Sequence, residues 1–159
     1  MMFRNHFEET VTVVLAIVMG LIMSVASIFV DHLAFHFSNL FRNWAMITMV
    51  ILLVSIALPY KEWSARFTGR FPVRRGGIPY RLIDNILPSL ILNTCNTLIV
   101  SAANIFYNEM IPAQEQMGHW LHGIVHDWPI MLVVSYLGAF LAEAIGVRVA
   151  RSAAQTTAI

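Results

Sequence analysis

Charge is what this chain has least of: 12% of its 159 residues are Asp, Glu, Lys or Arg, against about 25% in soluble domains. That shortage excludes an ordinary soluble globular protein. The basic residues present border apolar runs, with no base-reading motif beside them, which excludes nucleic acid as a partner. A single cysteine, Cys95, excludes an intrachain disulfide. Also lacking are a metalloprotease HExxH, a CxxC pair, a nucleophile with its base, a phosphate loop and a dinucleotide fingerprint. No enzyme class is supported, and the chain is expected not to be one.

Apolar residues make up 58% of the chain and fall into four blocks. Each block is about 20 residues long, enough to cross a hydrocarbon core of ~30 Å at 1.5 Å rise per residue. The predicted spans are 10–30, 44–60, 82–107 and 128–147. Glu8 and Glu9 precede the first, where acids suit the positive end of the helix dipole. An acidic flank and a long apolar run argue against a cleaved signal peptide there. Pro88 falls in the first turns of the third span, and Pro129 takes a first-turn position in the fourth.

Two stretches repeat. LIMSVASIFVDH at 21–32 and LIVSAANIFYNE at 98–109 share six of twelve residues at an offset of 77, among them Ser24/Ser101 and Phe29/Phe106. Asn43-Trp44 corresponds to Asp127-Trp128 at an offset of 84, the difference being an insertion that carries His119 and His122. A repeat of this kind dictates architecture. The expectation is one membrane domain over 1–159, all-α, with four spans arranged as two tandem helical hairpins, unit 1 about 10–71 and unit 2 about 82–151.

The linker 61–81 holds Lys61, Arg66, Arg70, Arg74, Arg75 and Arg81 against one acid, Glu62, whereas the linkers 31–43 and 108–127 together hold only Arg42. Lys and Arg mark the cytoplasmic side. Both termini and the central linker are therefore predicted inside a bacterial plasma membrane. The two hairpins then share one orientation, and their pseudo-twofold axis runs along the membrane normal. Trp63, Phe67 and Phe71 recur every four residues beside Arg66, Arg70 and Arg74, which predicts an amphipathic surface helix on anionic lipid, closed by Pro72 and Gly76-Gly77. Partners are expected to be lipids, with a homodimer left open.

Met23-Ser24 in the first span, a short loop, Trp44 opening the second span and Ala57-Leu58-Pro59 with basic residues after it resemble a family of short bacterial membrane proteins known as domain of unknown function number 2798. That family's unit is two helices, in some members carried in tandem. The resemblance implies membrane location and fold, without a chemistry. The four-span tandem is also similar to small proton-coupled efflux proteins, whose signature types stand at Arg4, His6, Phe7 and Glu8 at a different spacing.

Three features can carry chemistry. The first is a small or polar stripe, Ala16, Gly20 and Ser24 in the first span and Asn93, Thr97 and Ser101 at the repeat positions in the third, extended by Asn85, Ser89, Asn96 and Asn104. Packing of the first span on the third through this stripe is one reading; a lined translocation path is the other. The second is Glu143, the one ionisable side chain expected inside an apolar run, with Tyr136 on the same face as a hydrogen-bond partner and Arg148, Arg151 or Lys61 as pairing partners. It is a proton or cation candidate. The third is the histidine set, His119, His122 and His126 at helical spacing and His32 and His36 in the other outer linker. With nearby carboxylates these are the raw material of a divalent metal site. The functional expectations are a small-solute or proton-coupled transporter using the third span and Glu143, a non-catalytic packing or assembly module, and an outer-face metal-binding protein.

Overall fold

The computed structural model describes residues 2–30 and 35–156; Asp31 and the candidate ligand His32 lie outside them. The described residues form six helices and no strand: α1 (Met2–Val30), α2 (Phe37–Ala57), α3 (Tyr60–Thr68), α4 (Ile78–Asp84), α5 (Ile86–Phe106) and α6 (Ala113–Thr156). The segments Phe7–Val30, Phe37–Ala57, Ile78–Phe106 and Ala113–Ala154 are each long and apolar enough to cross a membrane. The chain is a multi-pass membrane protein.

Prolines explain the breaks. Leu58 is extended (φ −117°, ψ 130°) because the ring of Pro59 disfavours a helical residue before it, so α2 stops at Ala57 and α3 starts anew. Pro88 has no N–H to give the carbonyl four residues back, that of Asp84. Ser64 Oγ donates to that carbonyl instead, and the α4–α5 run is interrupted at Asn85. The single Ser64 proton is shared with the Asp84 carboxylate, 2.9 Å away, to which Thr68 Oγ1 also donates at 3.0 Å. This clasp docks α3 against the start of α5.

The face that α3 buries is thus Tyr60, Ser64 and Thr68, a polar row. Trp63 and Phe71 are exposed, as are Arg66, Arg70, Arg74 and Arg75. Phe67 and Phe71 meet edge to face at 5.3 Å. A short helix stands where the sequence predicts an amphipathic one, but it ends at Thr68, so Arg70, Phe71 and Arg74 lie beyond it.

Packing around the bundle runs α1–α2–α5–α6 and back to α1, with α1 against α6 the most extensive contact. α1 and α5 stand across a diagonal. The expected packing of the first span on the third through the small stripe is therefore corrected: Ala16, Gly20 and Ser24 face α2. Thr48 Oγ1 donates to Ala16 O, Trp44 Nε1 to Ile17 O at 2.9 Å, and Ser24 Oγ to Leu40 O at 2.9 Å. A Cβ on Gly20 would overlap Thr48 Oγ1 and stand 3.1 Å from Trp44 Cδ1. Absence of a side chain is what lets Trp44 and Thr48 reach the α1 backbone. On its other side α1 meets a second small row, Gly138, Ala142, Gly146 and Ala150, all buried and four apart on α6; Gly138 abuts Met19 and Ile22, and Gly146 the backbone of Val11. Close backbone approach of this kind is how helices associate where lipid removes the hydrophobic drive.

α6 is the largest departure from expectation. It is one helix of 44 residues through Pro129, ~66 Å long at 1.5 Å per residue, where the sequence suggested a loop up to Asp127 and a fresh start at Trp128. Nothing between Ala113 and Trp128 breaks a helix, and Pro129 costs only the bond to the carbonyl of Val125.

Gly20→Val should lower thermal stability in detergent micelles by about 1–3 kcal/mol through overpacking. The exposed neighbour change Leu21→Val should stay within about 0.5 kcal/mol. Thermal unfolding of both variants beside the parent checks this.

Candidate functional site

Turning α5 toward the bundle interior brings its polar face inside. Ser89, Asn93, Asn96 and Thr97 are buried, and water is absent from the hydrocarbon, so each group needs a protein partner or hydrated space. Partners exist for some. Asn85 Nδ2 donates to Tyr136 O at 3.1 Å and Asn93 Nδ2 to Trp128 O at 3.0 Å. Trp128 Nε1 donates to Thr94 Oγ1 at 3.0 Å, and Trp120 Nε1 to Ser101 Oγ at 3.0 Å. Asn104 Nδ2 reaches Asn43 Oδ1 at 3.5 Å, and Asn43 Nδ2 reaches Ser27 Oγ at 3.5 Å. Three buried oxygens, Ser89 Oγ, Asn93 Oδ1 and Asn96 Oδ1, have no partner. They stand four and three residues apart, on one face of α5.

Two cavities lie at the two ends of that row. The larger, about 300 Å³, opens at the α3–α4 end; its lining includes Thr12, Met19, Lys61, Ser64, Arg81, Asp84, Ser89, Leu92 and Glu143. The smaller, about 60 Å³, is lined by Met23, Ser27, Asn96, Thr97, Ser101, Asn104, Asp127 and Met131 among others. Asn93, fully buried, belongs to neither lining. Of the predicted transport residues, Glu143 thus reaches the larger cavity, Asn96, Thr97 and Ser101 the smaller, and Asn93 the wall between them.

Two expectations for Glu143 are corrected. It is exposed on the cavity wall, not buried, because the α6 face turned to α1 at this level is that of Ala142 and Gly146. Among the described residues it forms no ion pair with Arg148, Arg151 or Lys61; Lys61 Nζ donates to Thr12 Oγ1 at 2.9 Å. Tyr136 does not bond to Glu143: its hydroxyl donates to Leu82 O at 2.8 Å, fastening α6 to the start of the third span. Tyr60, beside the larger cavity, is raised above its ordinary pKa by burial, with an opposing effect from its bond to Ser55. It stays a neutral hydrogen-bonding group.

The histidines do not converge. His119 lies 3.8 Å from Glu115, both more than half exposed. His122 and His126 stack with ring centroids 6.4 Å apart, and His126 Nδ1 is 2.7 Å from Asp127 Oδ1. His36 is the exposed N-cap of α2. Among the described residues no three His, Cys, Asp or Glu side chains are placed to hold a metal ion. Helical spacing did put the three α6 histidines on neighbouring faces, but those faces point away from the bundle.

Sequence reasoning missed Asp127 by assigning it to a loop. Trp128 meets Asn93 and Thr94, near the middle of the 21-residue α5, so Asp127 stands beside α5, part-buried at the smaller cavity. The available signal was Trp120 and Trp128, eight residues apart on one helical face, with no breaker between. Comparison with protein-family models, curated proteins and solved structures finds no match.

Asn96→Leu should leave the melting temperature unchanged or raise it. Its amide donates only to Met23 Sδ at 3.9 Å, and the change removes an unpartnered buried carbonyl that costs about 1–3 kcal/mol. Thermal unfolding in micelles tests this; a clear drop would make Asn96 a structural bond.

Proposed function

We propose that the protein is a small transporter of the plasma membrane, moving a small solute or proton along the polar face of α5. The carrying observation is the row of three unpartnered buried oxygens, Ser89, Asn93 and Asn96, between two cavities that share no lining residue. Close packing alone leaves no reason to keep unpartnered polar atoms in hydrocarbon. A path that is hydrated in part of a cycle gives one. Two cavities separated by a wall of Met19, Met23, Leu92 and Asn93 suit a carrier better than an open channel. At the larger cavity Glu143 is the proton or cation carrier, with Lys61 and Arg81 as the opposing charges.

In this reading both termini and the α3–α4 end face the cytoplasm, where Arg66, Arg70, Arg74 and Arg75 meet anionic headgroups and Trp63 and Phe71 enter the interface. The tandem two-helix arrangement is supported by a pair of hydrogen bonds. Trp44 Nε1 donates to Ile17 O, and Trp128 Nε1 to Thr94 Oγ1. Ile17 and Thr94 are related by the offset of 77, and the two tryptophans by that of 84. A pseudo-twofold exchanging α1 with α5 and α2 with α6 accounts for both. The rival packing-module reading has its own support in the α6 row Gly138, Ala142, Gly146 and Ala150.

Cysteine accessibility separates the two readings. In a Cys95→Ser background, cysteines at Ser89, Asn93 and Asn96 should react with a charged, water-soluble methanethiosulfonate, while cysteines at the outward-facing Leu90 and Ile99 should not. An unreactive row would leave a packing module. In proteoliposomes reporting proton flux with an internal pH dye, Glu143→Gln should slow flux about tenfold, ~1.4 kcal/mol on the barrier. Unchanged flux would remove Glu143 from the path.

A further inference from the structure

Asp127 is a part-buried carboxylate on a membrane-spanning helix, with 23% of its side chain exposed, and it lines the smaller cavity. Ionisable side chains in such a place are costly unless paired. Its hydrogen-bond partner is His126 Nδ1, which engages one oxygen, Oδ1, at 2.7 Å and in its neutral form brings no charge. The lysine and arginine that enter the bundle, Lys61 and Arg81, line the other cavity. Asp127 therefore faces its own cavity without a fixed cation among the described residues.

What it faces is a set of oxygens. Asn96 lines this cavity and is 2% exposed, and its Oδ1, buried just behind the surface, has no partner. Asn104 turns its amide NH2 toward Asn43 Oδ1 at 3.5 Å, and among the described residues no hydrogen-bond donor meets its carbonyl oxygen. Ser27 Oγ donates to Ser24 O at 3.0 Å, so toward the cavity it too can only accept. One carboxylate and several neutral acceptors, with no thiolate and no converging imidazoles, is a hard-cation set. A single negative charge balances one positive charge, whereas calcium-type sites gather several carboxylates. The volume of about 60 Å³ holds a bare ion with a few waters, at about 10–15 Å³ for each water.

We infer that the smaller cavity binds one monovalent alkali cation of sodium size, with Asp127 as its counter-charge and Asn96 Oδ1 as a neutral ligand. The site rests on the transport reading for its role as a coupling-ion site, not for its ability to bind. It also accounts for why Asn96 keeps an unpartnered oxygen beside a carboxylate.

The test uses the full chain in micelles, with sodium chloride as the probe and choline chloride holding ionic strength constant. Binding to the folded state raises the melting temperature saturably. Sodium should do so for the parent and for Glu143→Gln. Asp127→Asn should abolish the sodium shift, and Asn96→Leu, expected to fold at least as well as the parent, should weaken it about tenfold or more. Should Asp127→Asn fail to give a monodisperse peak on size exclusion, the Asn96→Leu result decides alone. A parent indifferent to sodium, an equal shift with choline, a shift from calcium or magnesium alone, or a full sodium shift in Asn96→Leu overturns the assignment. A sodium shift with an unreactive α5 row keeps this site and rejects transport; a reactive row with no sodium shift does the reverse.

Discussion

Lipid offers no hydrogen bonds, and α5 carries more polar side chains on one face than any other span. How that face is answered organises the rest of the bundle. Each flanking helix contributes a group to it: the indoles of Trp120 and Trp128 and two backbone carbonyls from α6, Asn43 from α2, and the thioether of Met23 from α1. Those contacts require α5 to sit opposite α1 with α2 and α6 on either side. What they leave over is three oxygens and two cavities. The unmet part of the requirement is thus also the part with room for a ligand.

α1 plays the complementary part. Its small residues let α2 and α6 approach closely on two sides, so it buries almost no polar side chain beyond Ser24. The two repeat-related helices therefore do different work from the same pattern. In α1 the positions Ala16, Gly20 and Ser24 are filled by neighbouring helices. In α5 the equivalent Asn93, Thr97 and Ser101 reach into the interior. Under the proposed reading the first half is scaffold and the second carries the site, with Asp127 at the position that corresponds to Asn43.

The α3–α4 end is held by the consequence of one proline. Pro88 frees the carbonyl of Asp84, and Ser64 takes it, with Thr68 and Ser64 on the carboxylate. The basic helix is thereby fixed by its polar row, leaving the aromatic and arginine rows outward. The same clasp forms one wall of the larger cavity, which Glu143 also lines.

Hydropathy by itself determined the number of spans, the helical class and a short helix in the basic linker, because transfer to lipid depends on composition and length alone. The tryptophans and the polar row of the third span were equally legible. Periodicity, however, says that a face is different, not what it meets. Only tertiary structure assigned the small row of α1 to α2, set Tyr136 on Leu82 and separated Glu143 from its expected partners. It also decided between two readings of similar prolines. Pro88 interrupts a helix where Ser64 is at hand to take the freed carbonyl, whereas Pro129 leaves α6 continuous. That continuity moved Asp127 from a loop to a helix beside α5. Local sequence cannot report it, since what a proline does depends on groups distant along the chain and near in space.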